Sequence, residues 1–248
     1  TRELRWEGPQ FPQFPDYEKA VTPNEGNILI VGREKPDVAE GFTLPVTGVT
    51  PRQPTTVSVS ADDKALNLVF TCIDRDILGE IKEQDSIKLW RDDSVYIWLD
   101  TRHTHKDKKQ FVMLQVSAGG TRHDLRNGDA EWNVQGLKIT IDRNPDGWTA
   151  HVHVPWKGLG IKKPTAGTVW GINFSRMDQP GKVDHQRMQT SSWVPIPNGS
   201  DLPDLDRWGH LLFADNGDAG NAKATMQKVH DAIKKRAYST ETLLGGLK

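Results

Sequence analysis

Residues 90–100, WRDDSVYIWLD, constrain this chain more than any other stretch. Asp93, Val95, Ile97 and Leu99 fall on one side of an extended segment, and Ser94, Tyr96 and Trp98 on the other. Successive side chains of a strand point to opposite faces, so this period of two predicts a β-strand. The first set is the face expected in a core. The second carries two aromatics, with Trp90 and Arg91 standing before them. A strand that keeps rings on its non-core face packs under something or binds something flat. We expect this one to be the floor of a binding face.

The rest of the chain repeats short extended segments between turn signals. Alternating or apolar runs at 27–31, 55–60, 65–74, 93–100, 110–117, 121–125, 137–143, 148–155, 169–177 and 209–214 read as strands, with one more near 42–47. Asp62-Asp63, Gly119-Gly120, Asn127-Gly128 and 144–147 punctuate them as turns. About ten strands without a helix between them predict an all-β fold, an antiparallel β-sandwich of jelly-roll or immunoglobulin-like type. Residues 1–26 hold Pro9, Pro12, Pro15 and Pro23, which fix φ and lack an N–H, and read as an extended arm. Trp6, Phe11, Phe14 and Tyr17 are spaced along it, as groove-filling rings or as a rim of the binding face. Residues 27–215 form the sandwich, and 216–248 a C-terminal α-helix and tail. Ala222, Met226, Val229, Ile233 and Ala237 give that helix its period.

Composition narrows the function. The formal net charge is −1, so no general pull toward nucleic acid or an anionic membrane is expected. No run approaches the roughly 20 apolar residues of a membrane span. Nine Trp stand against three Tyr and seven Phe. Trp joins a broad apolar face to one N–H donor, which suits sugar rings and wet interfaces as well as cores. Cys72 is alone, which excludes an internal disulfide and a Cys-based zinc site. It lies in an apolar run and reads as a buried thiol. No Gly-x-Ser-x-Gly nucleophile motif and no matched carboxylate pair marks a hydrolase.

Several short runs occur in a fixed order: FTCID, WRDDSVYIWLDT, Gln110-Phe111, Gly147-Trp148 with VHVPW, Leu159-Gly160, WGINFSR, SSW at 191–193, and RWGHLLF. In order and spacing this set resembles the family 9 carbohydrate-binding module, over roughly residues 57–213. The resemblance implies a β-sandwich that binds sugars, secreted or on the cell surface, and often attached to a polysaccharide-degrading enzyme. It implies two Trp clamping a terminal sugar, polar strand side chains holding its hydroxyls, and structural calcium. Trp90 matches the first clamping Trp. The loop that carries the second, here 198–205, has no aromatic, so Trp193 or Trp208 would have to stand in. The family's carboxylate on the central strand is Tyr96 here, and its Arg and Asn positions are Val112 and Leu114.

The resulting expectation is a non-catalytic module. Trp90 stacks on a sugar, Tyr96 and Trp98 form the floor, Arg91, Ser175 and Arg176 are polar contacts, and Trp193 is a second wall. Asp74, Asp76 and Asp92, with Asp93 and Asp100 nearby, are oxygen donors of the kind calcium takes. His103/His105 and His151/His153 have His-x-His spacing, and His123 could join a metal shared on one strand face. Two alternatives accompany this reading. The face of Tyr96, Trp98, Val112 and Leu114 could dock on a catalytic domain or partner protein, or on the N-terminal arm. It could also take haem b, as related sandwich domains do with Met and His or Lys ligands, although Met113 is expected to point away from it.

Overall fold

The computed structural model describes residues 27–32, 34–45, 47–103, 111–180, 188–194 and 208–214, together with Ala224, Gln227 and Asp231. Twelve strands are present among them: β1 (Ile28–Val31), β2 (Asp37–Ala39), β3 (Thr55–Ala61), β4 (Ala65–Ile73), β5 (Ser94–Asp100), β6 (Val112–Ser117), β7 (Arg122–Arg126), β8 (Lys138–Asn144), β9 (Gly147–Pro155), β10 (Val169–Asp178), β11 (Gln189–Ser192) and β12 (Gly209–Phe213). One sheet runs β1-β12-β10-β5-β6-β7, with β11 added along β10. The other runs β2-β3-β4-β9-β8. All pairs are antiparallel except β1 with β12.

Alternation explains the two layers. Val95, Ile97 and Leu99 of β5 are fully buried, as are Ile172 and Phe174 beside them on β10. Facing them are Val57 and Val59 of β3, Leu66, Leu68 and Phe70 of β4, and Ala150, Val152 and Val154 of β9. Each Val, Leu, Ile or Phe among them contributes about 1.5–3 kcal/mol by leaving water. Phe70 and Phe174 meet edge to face across the sandwich at 5.6 Å. Trp156, Trp170 and Phe213 form a second aromatic knot at one end. The outer face of the smaller sheet is wet, so β9 alternates buried with more exposed positions, while the edge strand β8 alternates half-buried and exposed ones over most of its length.

Turn chemistry follows local side chains. Asp62 Oδ1 accepts from the backbone N–H groups of Lys64 and Ala65 and closes the β3–β4 hairpin. Asn127 and Gly128 both sit at positive φ, 56° and 83°, the conformation an Asn-Gly turn supplies.

Three elements differ from expectation. The described residues of the segment near 42–47 form no strand, and Thr43 makes an isolated bridge with Ser192. β2 and β11 lie where no strand was expected. β2 has three residues, and β11 reads QTSS, with no apolar alternation. Backbone pairing with β10 carries β11, and pairing leaves no trace in side-chain pattern. The expected C-terminal helix is described only at Ala224, Gln227 and Asp231, which are helical, and Gln227 Nε2 donates to Asp231 Oδ1 at 2.9 Å. The expected arm at 1–26 lies outside the described residues. No helix among the described residues is long and apolar enough to cross a membrane.

Candidate functional site

The loop before β5 is built to present Trp90. A single 3-10 turn covers Leu89–Arg91. Leu89 is fully buried and anchors it, while Trp90 is 37% exposed. The Arg91 guanidinium lies over the Trp90 ring, 5.3 Å from its centroid. Asp92 is buried and accepts from the backbone N–H groups of Glu80 and Ile81, both at 3.0 Å. Asp93 accepts from those of Leu78 at 2.6 Å and Gln179 at 2.7 Å. Gln179 Nε2 donates to the Trp90 carbonyl at 2.6 Å. Beneath the turn is a cleft of about 390 Å³, lined by Leu78 and Ile81 and by the charged side chains of Glu80, Lys82, Glu83, Lys88, Arg91 and Asp92.

The outer face of the larger sheet carries the rings. Tyr96 and Trp98 are both half-buried and stack nearly parallel, centroids 5.8 Å apart at 5°. Trp98 also meets Phe111 at 5.7 Å and Trp208 at 6.3 Å. Register sets a polar row across this face. Tyr96 pairs with Gln115 on β6 and Ser175 on β10, Gln115 pairs with His123 on β7, and Ser175 pairs with Ser192 on β11. Gln115 Nε2 donates to Ser94 Oγ at 3.0 Å. The indole N–H groups of Trp98 and Trp208 are buried with no acceptor among the described residues.

Register also corrects the expected composition of the face. Val112 and Leu114 pair with Leu99 and Ile97 and point into the core. Met113 pairs with Trp98 and shares its face. Gln115, which pairs with Tyr96, and His123, which pairs with Gln115, were not among the expected polar contacts. Parity along β6, counted from Val112 and Leu114 as core positions, puts Gln115 on the outer side, but its place beside Tyr96 and the place of His123 beside it come from the register between strands.

Arg176 is not a surface contact. It is fully buried, on the core side of β10 beside Phe174, and spans the two sheets. Its Nη1 donates to the Ile73 carbonyl at 2.9 Å, and its Nη2 pairs with Asp74 at 2.9 Å and Asp178 at 3.4 Å. Adjacent strand residues cannot share a face, so Ser175 and Arg176 separate. Ser175 lies on the ring face but is buried, 3.4 Å from Ser192 Oγ. Trp193 is a framework residue. It is 6% exposed, packs on Phe174 at 5.8 Å, and sits so close to Gly209 that a Cβ there would lie 2.5 Å from its ring.

The expected calcium donors do not converge. Asp76 is exposed and Asp92 is used by the loop backbone. Asp74 is instead grouped with Asp93 and Asp178, one carboxylate oxygen of each within 4.8 Å of the others. Each oxygen of these three carboxylates already accepts an N–H. Asp74 receives Gln53, Asp76 and Arg176. Asp93 receives Leu78 and Gln179. Asp178 receives Gln53, Arg176 and Arg52. Calcium wants six to eight free oxygen ligands, so this donor set does not fit it: Arg176 supplies the positive charge instead. Burial, with the Asp74 carboxylate beside it, pushes Asp93 up to about 7, against the N–H groups of Gln179 and Leu78 and the charge of Arg176. The His151/His153 pair divides as well. His151 Nε2 meets Asp142 at 3.2 Å, and His153 Nδ1 meets Asn67 Oδ1 at 2.7 Å.

Comparison with known proteins places this arrangement. Residues 46–216 match the family model "Carbohydrate family 9 binding domain-like". No curated protein matches the chain. Among solved structures, the chain is similar to a family 9 carbohydrate-binding module from Caldicellulosiruptor kristjanssonii, determined with cellotriose. The identity is 16%, the TM-score 0.55, and the match covers 77% of this chain and 95% of that one. A family 9 module from the same organism determined with glucose gives 17% identity and TM-score 0.55, over 77% of this chain and 97% of that one. A candidate carbohydrate-binding protein from Bacteroides uniformis ATCC 8492 matches with 12% identity and TM-score 0.60, over 76% of this chain and 99% of that one. The chain belongs to the carbohydrate family 9 binding domain-like family.

Proposed function

We propose that this chain is a non-catalytic carbohydrate-binding module, and that it meets sugar on the ring-bearing outer face of its larger sheet. The observation that carries this reading is the parallel, half-buried Tyr96–Trp98 stack, set beside a buried polar row of Gln115, His123 and Ser175. Aliphatic C–H faces of a sugar pack on aromatic rings, and sugar hydroxyls need donors and acceptors, because a buried unpaired one costs about 1–3 kcal/mol. Trp90, held from below by Gln179, adds an exposed ring at one side. The bound cellotriose and glucose of the Caldicellulosiruptor modules support a β-linked glucan or related glycan as ligand. Family membership supports a secreted or cell-surface setting and attachment to a polysaccharide-degrading enzyme. Titration against a glycan panel tests the reading, with wild type and Trp90→Ala. Saturable binding that weakens at least severalfold in the variant supports it. Unchanged binding in the variant removes Trp90 from the site, and no binding to any glycan overturns the function.

A further inference from the structure

Beyond the end of β5 two histidines far apart in sequence meet. His103 Nε2 and His210 Nδ1 lie 2.8 Å from each other, with ring centroids 5.0 Å apart. His210 is 1% exposed, and His103 is half-buried. Register explains the meeting. Asp100 of β5, Gly171 of β10 and His210 of β12 form one row across the larger sheet. After Asp100 the chain turns sharply. The Asp100 carboxylate accepts from the Arg102 N–H, and the Asp100 carbonyl from the His103 N–H, both at 3.1 Å. His103 sits at positive φ, 48°, which is uncommon for a residue with a side chain. Its ring thus reaches His210 across β10. Gly171 has no side chain to stand in the way: a Cβ there would lie 3.2 Å from the Asp100 Cβ and 3.6 Å from the Trp208 ring. Two neutral imidazoles at this distance share one hydrogen, so a lone pair of one ring is aimed at a nitrogen of the other. Two metal–nitrogen bonds of about 2.0 Å at a right angle span about 2.8 Å, the spacing of adjacent ligands on a tetragonal ion. Imidazole suits copper, nickel and zinc, and copper(II) combines the highest affinity in that series with tetragonal geometry.

We infer that His103 and His210 form a transition-metal site, with copper(II) the ion that fits their spacing, and that the ion pins the turn after β5 to β12. On binding, the shared hydrogen moves to the other nitrogen of the ring that donated it, and water fills the remaining coordination positions. The site is independent of the sugar reading. The test is titration of the full chain, free of any polyhistidine tag and stripped with EDTA, with copper(II) chloride, followed by calorimetry and electron paramagnetic resonance. The expected result is saturation at one copper per chain, with hyperfine structure from two imidazole nitrogens and a raised thermal midpoint. His103→Gln changes a half-buried residue on a turn and is expected to keep the fold. It should lose affinity at least about tenfold, since even a partner behind a metal ligand is worth that much. His151→Gln, on the outer face of the opposite sheet, should bind as wild type does. Absence of saturable binding, equal affinity in wild type and His103→Gln, or loss of binding in His151→Gln overturns the site. The spectrum of the wild type needs no variant: a copper signal without two imidazole nitrogens overturns it as well.

Discussion

Arg176 and Asp74 meet at 2.9 Å inside the sandwich, with side chains 1% and 0% exposed. The pair joins β10 to the end of β4, and Asp178 and Gln53 complete it. Removing the cation leaves buried carboxylates without compensation, which costs about 3–5 kcal/mol. Arg176→Met is therefore expected to lower the unfolding free energy measured by urea denaturation by that amount, whereas the exposed Arg75→Met changes it by less than about 0.5 kcal/mol. The same pair makes added metal unnecessary at this corner. Wild-type thermal midpoints in EDTA and in calcium are expected to coincide.

Asp93 gives the stability a pH slope. Its folded value is about 7, raised above the ordinary 3.8. Between those values the folded state holds the proton that the unfolded chain has released. Stability is thus full below about pH 4, falls as pH rises through the window, and levels off above about 7. The slope is at most about 1.4 kcal/mol per pH unit. Asp93→Asn is expected to flatten this part of the curve, measured by chemical denaturation from pH 4 to 8.

Gln179 holds the Trp90 carbonyl through its side chain and Asp93 through its backbone. Gln179→Met keeps the volume and the backbone contact but removes the donor to Trp90. The expected cost in global stability is about 1 kcal/mol. Glycan affinity falls severalfold at the same time, because the exposed ring loses its fixed placement. Titration and denaturation of the same sample separate the two effects.

Cys72 is 1% exposed and its thiol is pushed up to about 12 by burial. A thiol that stays protonated and covered does not react. A thiol reagent at pH 8 is expected to leave the native protein unmodified and to label one site per chain in denaturant.

Much of the sandwich was legible from alternation. Val95, Ile97 and Leu99 announced their buried face, and Asn127-Gly128 announced its turn. β11 was not legible, because Gln189–Ser192 is held by backbone hydrogen bonds to β10 rather than by an apolar stripe. The site was read only in part. Tyr96 and Trp98 follow from one strand's own parity, and Trp90 from its place before that strand and the family resemblance. Gln115 and His123 depend on how three strands align, which no single strand encodes. Arg176 misled because a charged residue suggests a surface, although its spacing from Ile172 and Phe174 marks a core position. The acidic residues misled for the reverse reason: carboxylates that could ligate a cation are satisfied here by Arg176 and by backbone N–H groups.

The most direct test of the ring face is an NMR titration of the 15N-labelled protein with the best-binding glycan. Indole N–H signals of Trp90, Trp98 and Trp208, assigned by single Trp→Phe variants, are expected to shift together with the amides of Tyr96 and Gln115. His151 and His153, on the outer face of the opposite sheet, should stay still. Shifts confined to that opposite sheet, with the three indoles unmoved at saturation, would contradict the account.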